Sequence, residues 1–234
     1  MNSHIPFQIP LSVSLRDDAR FENYDPQGNE LACATLKAAA RGEGEPFLYI
    51  WGDEGVGCTH LLQASYYKAQ DLKRSAAYLP LDELELMGPE VLAGMERLDL
   101  VCLDNVQAVI GDAKWEEGLF HFFNRMRQEN HHLVMAAVGA PKQLGVKLPD
   151  LESRLNWGIT CQIHSLADEY RRDVFVKRAA ARGIELTDDV VKFLFSHSSH
   201  EMRDLFDLLD KLDQASLSAK RKVTIPFVKE VTGM

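Results

Sequence analysis

Between residues 29 and 164, short and nearly continuous apolar runs alternate with longer segments whose apolar residues recur at helical spacing. The runs Phe47–Trp51, Ala76–Leu81, Leu98–Asp104, Leu133–Val138 and Ile159–Ile163 read as strands. They lack the alternation of a sheet with one wet face, so both of their faces are expected to be covered. Asn29–Arg41 reads as a helix stopped by Gly42, and Thr59 to Lys73 as another. Strands separated by helices predict a parallel sheet flanked by helices. After Leu166 the strand signals cease. Asp168–Arg182 reads as a helix ended by Gly183, and Thr187-Asp188-Asp189 caps a second one over Val190–Ser196. Ser198, Ser199 and Glu201 open a long third helix running to about Lys220, with Met202, Leu205, Phe206, Leu209 and Leu212 along one face. Thr224 caps a fourth with Pro226 in its first turn. The expected fold class is α/β: a parallel sheet with helices on both faces, followed by a small all-α domain. The expected divisions are an extended, partly disordered leader at 1–20, an α/β domain at 21–164 and a helical domain at 165–234.

Composition adds limits. The 234 residues are 46% hydrophobic and 26% charged, ordinary for a soluble globular chain. A net charge of −9 argues against a surface built to neutralise nucleic-acid phosphates. The four cysteines, Cys33, Cys58, Cys102 and Cys161, form no close pair, which fits a reducing compartment. The N-terminus has no signal-peptide pattern, and no run approaches the ~20 apolar residues of a membrane span. A cytoplasmic protein without a membrane partner is expected. No histidine has metal-ligand spacing with a third partner, and Lys220-Arg221-Lys222 reads as a solvated turn.

The chemistry concentrates between the first expected strand and the helix that follows it. Gly52-Asp53-Glu54-Gly55-Val56-Gly57-Cys58-Thr59 has the glycine spacing of a phosphate loop, with Cys58 where a lysine would neutralise the β- and γ-phosphates. The glycines let backbone N–H groups turn onto phosphate oxygens at a helix N-terminus. Thr59 stands where a hydroxyl would ligate Mg²⁺. Some fifty residues on, Leu100-Val101-Cys102-Leu103-Asp104-Asn105 is an apolar strand ending in a carboxylate, which suits the same Mg²⁺ or marks a plain strand terminus. Asn105 follows where hydrolases of this design carry a Glu, and its amide is no base at neutral pH.

Two arginines have open readings. Arg154, in Ser153-Arg154-Leu155-Asn156-Trp157-Gly158, is either a solvated surface side chain or a finger reaching a neighbouring protein's γ-phosphate. Arg203 either clamps the chain's own nucleotide or pairs with Asp207 along its helix. The leader's Gln8-Ile9-Pro10-Leu11-Ser12-Val13 is either an extended docking peptide or an ordinary N-terminal strand.

Together, Phe21-Glu22-Asn23-Tyr24 with Asn29, the stretch Trp51–Leu62, Leu100–Asn105, Ser153–Gly158 and Met202-Arg203-Asp204-Leu205 make the chain resemble the AAA+ ATPases, specifically those of the replication initiator DnaA. The resemblance covers residues from about 20 to 234, and implies an AAA+ α/β domain with a helical lid but without the helix-turn-helix DNA-binding domain that follows in DnaA. It assigns the phosphate loop to Gly52, Glu54, Gly55, Val56, Gly57, Cys58, Thr59 and His60, and the Mg²⁺ contacts to Thr59 and Asp104. It assigns the base-holding segment to Asn23, Tyr24 and Asn29, the sensor arginine to Arg203, and the finger acting in trans to Arg154. Gln8, Ile9, Leu11 and Val13 resemble the peptide by which members of this family bind the DNA polymerase III β sliding clamp. The strand end Ala136-Ala137-Val138 departs from the pattern: it lacks the polar residue that would contact a γ-phosphate.

These losses on the γ side, with the backbone cradle kept, imply a protein that holds ADP or another nucleoside diphosphate, with Mg²⁺ where needed. On this reading the chain stimulates ATP hydrolysis by DnaA, inactivates it, and meets DNA only through the clamp. A homo-oligomer is left open. The alternatives are an autonomous AAA+ ATPase that remodels or loads a replication partner, and a scaffold that binds no nucleotide.

Overall fold

The computed structural model describes residues 15–16, 18–197, 202–219 and 221–233, with the backbone alone for Asp168, Glu169 and Arg203. Five strands, β1 (Phe47–Trp51), β2 (Ala76–Pro80), β3 (Leu100–Asp104), β4 (His132–Ala137) and β5 (Ile159–Gln162), form one parallel sheet in the order β2-β3-β4-β1-β5. Among them run α1 (Glu30–Arg41), α2 (Cys58–Asp71), the single turn α3 (Leu81–Leu84), α4 (Ala113–Gln128) and α5 (Pro149–Leu155). A helical lid follows: α6 (Asp168–Ala181), α7 (Asp188–His197), α8 (Met202–Ala219) and α9 (Ile225–Thr232).

The near-continuous apolar strands are explained by the two layers they separate. Along β1, Phe47 and Tyr49 face a core shared with Leu103, Phe122 and Leu151 under α4 and α5. Leu48 and Ile50 face the opposite core, with Leu36, Leu61, Cys102 and Val134 under α1 and α2. A third core, built on Phe175, Leu194, Leu209 and Phe227, belongs to the lid. Its helices end as their sequences dictate: Gly183, at φ +74°, follows α6, and the Thr224 hydroxyl accepts from Phe227 N at the start of α9.

Strand boundaries differ slightly from expectation. β2 stops at Pro80 because Leu81-Asp82-Glu83 turns at once into α3. β3 begins at Leu100, just after Asp99, whose carboxylate accepts from Ser75 N and Oγ. Exposed Ile159 and Gln162 mark β5 as an edge strand, paired with β1 alone.

Residues expected at the end of a loose leader are packed. The Arg16 N–H donates to Gln63 Oε1 at 3.1 Å, Ala19 is fully buried, and the Asp18 carboxylate accepts from Arg178 and Arg182 of α6. Residues 15–16 and 18–20 thus form a strap lying against both the sheet domain and the lid. The expected start of the long lid helix at Ser198, Ser199 and Glu201 lies outside the described residues, as do Gln8, Ile9, Leu11 and Val13 of the leader.

Candidate functional site

A cavity of about 780 Å³ opens at the C-terminal ends of β1, β3 and β4, between the sheet and the lid. Its volume suits a ligand of nucleotide size. The loop from Gly52 to Gly57 forms its floor and leads into α2 at Cys58. Two of the glycines are required by close approach. A Cβ on Gly52 would lie 2.4 Å from the Ile163 carbonyl oxygen, and one on Gly57, at φ +107°, would lie 2.9 Å from the Tyr24 ring. The loop therefore sits flush against β5 on one side and Tyr24 on the other.

At one end of the cavity stand Asn23, Tyr24 and Asn29, brought there by the segment before α1. Asn29 is buried, and its side chain clasps the backbone of the sheet–lid connection: Nδ2 donates to the His164 carbonyl at 2.9 Å and Oδ1 accepts from His164 N at 2.8 Å. The same amide donates to the Tyr24 hydroxyl at 3.0 Å. Asn29 thus lines the cavity while tying down the backbone between the sheet and the lid. His60 reaches the Arg20 carbonyl at 2.9 Å, and burial drives its pKa down to about 4. A neutral ring donating through Nε2 follows.

At the other end Asp104 lies beneath the loop, 1% exposed. Tyr78 Oη donates to it at 2.7 Å, the Asn105 N–H donates at 3.0 Å, and the Thr59 hydroxyl also bonds to it. Burial raises its pKa against those stabilising bonds. Sequence reasoning missed Tyr78 and also Gln63, the buried side chain that links Tyr78 to the strap. Nothing in either residue's local pattern marks it, since each acts through a partner distant in the chain. The Cys58 thiol is pushed up to about 12, by burial first and by Asp104 second, so it is a neutral thiol rather than an activated thiolate.

A divalent cation would find Thr59 Oγ1 and one carboxylate here. Among the described residues no group of three or more His, Cys, Asp or Glu could hold a metal ion. That donor set fits Mg²⁺, which takes one or two carboxylates and completes its shell with phosphate oxygens and water.

The lid supplies Arg171, Arg178 and Phe206 to the cavity wall. Arg178 is buried, with contacts to Asp18, to the Asn23 carbonyl and to the face of Phe206. Arg203 lies on the first turn of α8; its side chain is outside the described atoms.

Arg154 stands apart and does not line the cavity. It occupies the last turn of α5, whose start is pinned by Glu116, a buried carboxylate of α4 that accepts from Gly111 N, Lys147 N and Leu148 N. The guanidinium carbon lies 5.5–5.9 Å from the ring centres of Phe120, Phe123 and Trp157. Its Nε is buried with no hydrogen-bond partner, and among the described residues it makes no ion pair.

A sheet of this order, with a glycine loop at the end of β1, a buried Asp ending β3 and a separate helical lid, defines an AAA+ module. Comparison with known proteins agrees. The model of the bacterial DnaA ATPase domain matches residues 90–162, and the model described as "Hda, lid domain" matches residues 168–232. An uncharacterized protein of Haemophilus influenzae is 41% identical over 228 residues, covering 97% of this chain and 99% of its own. Domain III of the Thermotoga maritima replication initiation protein DnaA superposes with a TM-score of 0.78 at 23% identity, over 94% of this chain and 97% of that one. DnaA from Aquifex aeolicus bound to AMPPCP superposes with a TM-score of 0.71 at 23% identity, over 87% and 74%. The chain belongs to the DnaA family of AAA+ proteins, as a member with an Hda-type lid.

Proposed function

We propose that this protein is a nucleotide-bound adaptor in the control of replication initiation: it holds a nucleoside diphosphate in its own cavity and supplies Arg154 to the ATP site of DnaA. The supporting observation is the separation of two functions in one chain. The cavity keeps the glycine loop, Thr59 and Asp104 but has a neutral thiol at position 58 and apolar Val138 at the end of β4. The one arginine of finger type, Arg154, sits outside that cavity on an aromatic platform. A relative's cavity bound to AMPPCP supports an adenine nucleotide as ligand.

On this reading the loop N–H groups of Gly55 and Gly57 and the Thr59 hydroxyl hold the diphosphate, with Asp104 and Thr59 available to Mg²⁺. Asn23, Tyr24 and Asn29 border the base, and Arg203 reaches in from the lid. Gln8, Ile9, Leu11 and Val13 dock the leader onto the sliding clamp, which brings Arg154 to DnaA on DNA. An arginine supplied in trans stabilises the charge that develops on the transferred phosphoryl group, an effect of about 10³–10⁵ in rate where it operates.

The test is DnaA-bound ATP turnover in the presence of clamp-loaded DNA. Arg154→Ala should abolish the stimulation while leaving nucleotide and clamp binding unchanged. Full stimulation by that variant would overturn the finger assignment. Sustained Mg²⁺-dependent ATP turnover by the purified protein alone would overturn the adaptor in favour of an autonomous ATPase.

A further inference from the structure

At the ends of β2, β3 and β4 the cavity is closed by a chain of polar side chains that no part of the proposed function uses. Asp82 lies in the first turn after β2, Asn105 directly after β3, Gln107 on the short turn that follows, and Val138 directly after β4. Asn105 Nδ2 donates to Asp82 Oδ1 at 2.9 Å. Gln107 Nε2 donates to Asn105 Oδ1 at 3.3 Å, and Gln107 Oε1 accepts from Val138 N at 3.1 Å. All four residues line the cavity. Each of these side chains is held by its neighbour, with one N–H of the Asn105 amide and one of the Gln107 amide committed to protein acceptors, and the series ends in the Asp82 carboxylate.

This is the end toward which the residue at loop position 58 projects, since a lysine there reaches the β- and γ-phosphates. The protein has Cys58 instead. Asp104 and Asp82 place two carboxylates there. Their proximity is felt, because the Asp82 charge disfavours ionisation of Asp104. A third phosphate brings added negative charge and needs donors. It would meet the Asp82 carboxylate and amides whose orientation is set by their protein partners rather than by the phosphate.

We propose that the network Asp82–Asn105–Gln107 sets the specificity of the cavity, admitting a nucleoside diphosphate and rejecting the triphosphate by the Asp82 charge, with the amides of Asn105 and Gln107 holding that carboxylate in place. The inference rests on the reading of the cavity as a nucleotide site and adds the residues that count its phosphates. Asp82 carries the charge, Asn105 fixes the Asp82 carboxylate, and Gln107 ties Asn105 to β4.

Titration calorimetry of the full chain with ADP and with ATP, in Mg²⁺ buffer, tests it. The wild-type protein should bind ADP more tightly. Asp82→Asn keeps the shape and an acceptor for Asn105 but removes the charge. Because Asp82 is solvent-exposed and partly screened, the variant should tighten ATP by about five- to tenfold while ADP changes by less than about twofold. Wild-type protein offers a second readout: raising salt from about 0.05 to 0.5 M should narrow the ATP-to-ADP ratio of dissociation constants, because the Debye length shrinks severalfold. An unchanged ratio in Asp82→Asn, or equal shifts for both nucleotides, overturns the inference while the nucleotide site stands. Equal affinities of the wild type for ADP and ATP do the same. Absence of binding by either nucleotide overturns the nucleotide reading and the inference with it.

Discussion

Replacing Asp18 by Asn should loosen the lid from the sheet domain. The Asp18 carboxylate is the shared acceptor for Arg178 and Arg182 of α6, and Arg182 also pairs with Asp210 of α8. Arg178 is the vulnerable partner. Its side chain is only 6% exposed and, among the described residues, its Nε has no acceptor and its remaining hydrogen bond without Asp18 is a 3.3 Å contact to the Asn23 carbonyl. Stranding a buried charge by removing its partner costs about 3–5 kcal/mol. Asp18 is itself 30% exposed and Arg182 keeps Asp210, so the loss here is placed at about 2–3 kcal/mol. For a chain of this size that corresponds to a fall of about 4–12 °C in Tm.

The assay is thermal unfolding of wild type, Asp18→Asn, Arg178→Met and the double variant, as a cycle. Because Asp18→Asn strands a charge that Arg178→Met removes, the double variant should be less destabilised than the sum of the singles. Burial alone would raise the Asp18 pKa, and Arg178, Arg16 and Arg182 together outweigh it and hold it below 3.8. A depressed carboxylate stabilises above its unfolded pKa and loses that contribution as pH falls through the folded value. The gap between wild type and Asp18→Asn should therefore persist from pH 8 to pH 5 and close only below about pH 4. A single-variant loss under about 1 °C, or strict additivity in the cycle, would refute the reasoning.

Gly57→Ala places a methyl 2.9 Å from the Tyr24 ring on a backbone at φ +107°; we expect a stability loss of about 1–3 kcal/mol and at least tenfold weaker ADP binding by calorimetry. His60, held neutral by burial with a pKa of about 4, stabilises the fold above the unfolded value of 6.5, and that contribution is lost as pH falls from 6.5 toward 4. Urea titrations at pH 7.5 and pH 5 should show a drop in the wild type that is smaller by about 1–2 kcal/mol in His60→Gln, which cannot titrate. Equal drops in the two proteins would remove His60 as the source.

The strands, the glycine loop and Asp104 were legible because their signals are local: an apolar run, a spacing of glycines, a carboxylate at a strand end. The lid helices were legible for the same reason, down to Thr224 and Gly183 at their ends. Other parts of the site depend on pairs remote in the chain. Asp18 meets Arg178 across 160 positions, and Asn29 meets His164 across 135. No periodicity records such meetings. The leader's end carries no apolar pattern that marks a packed segment, yet Asp18 is anchored by the lid arginines Arg178 and Arg182, whose own sequence context looks like a solvated helix face. Asp82 and Gln107 were invisible for a related reason: each is an unremarkable polar residue in a turn, and only the parallel sheet brings the ends of β2, β3 and β4 together.

Asn105 has a left-handed backbone, φ 54° and ψ 43°, a conformation asparagine tolerates better than most residues. A Glu introduced there would lose that tolerance, break the hydrogen bond to Asp82 and set a second carboxylate against the first. Placing an acidic group at this position is thus a loss of stability before anything else. The site is buffered against acquiring an acidic residue by a single substitution: such a change would have to come together with others that release Asp82 and relax the backbone at position 105.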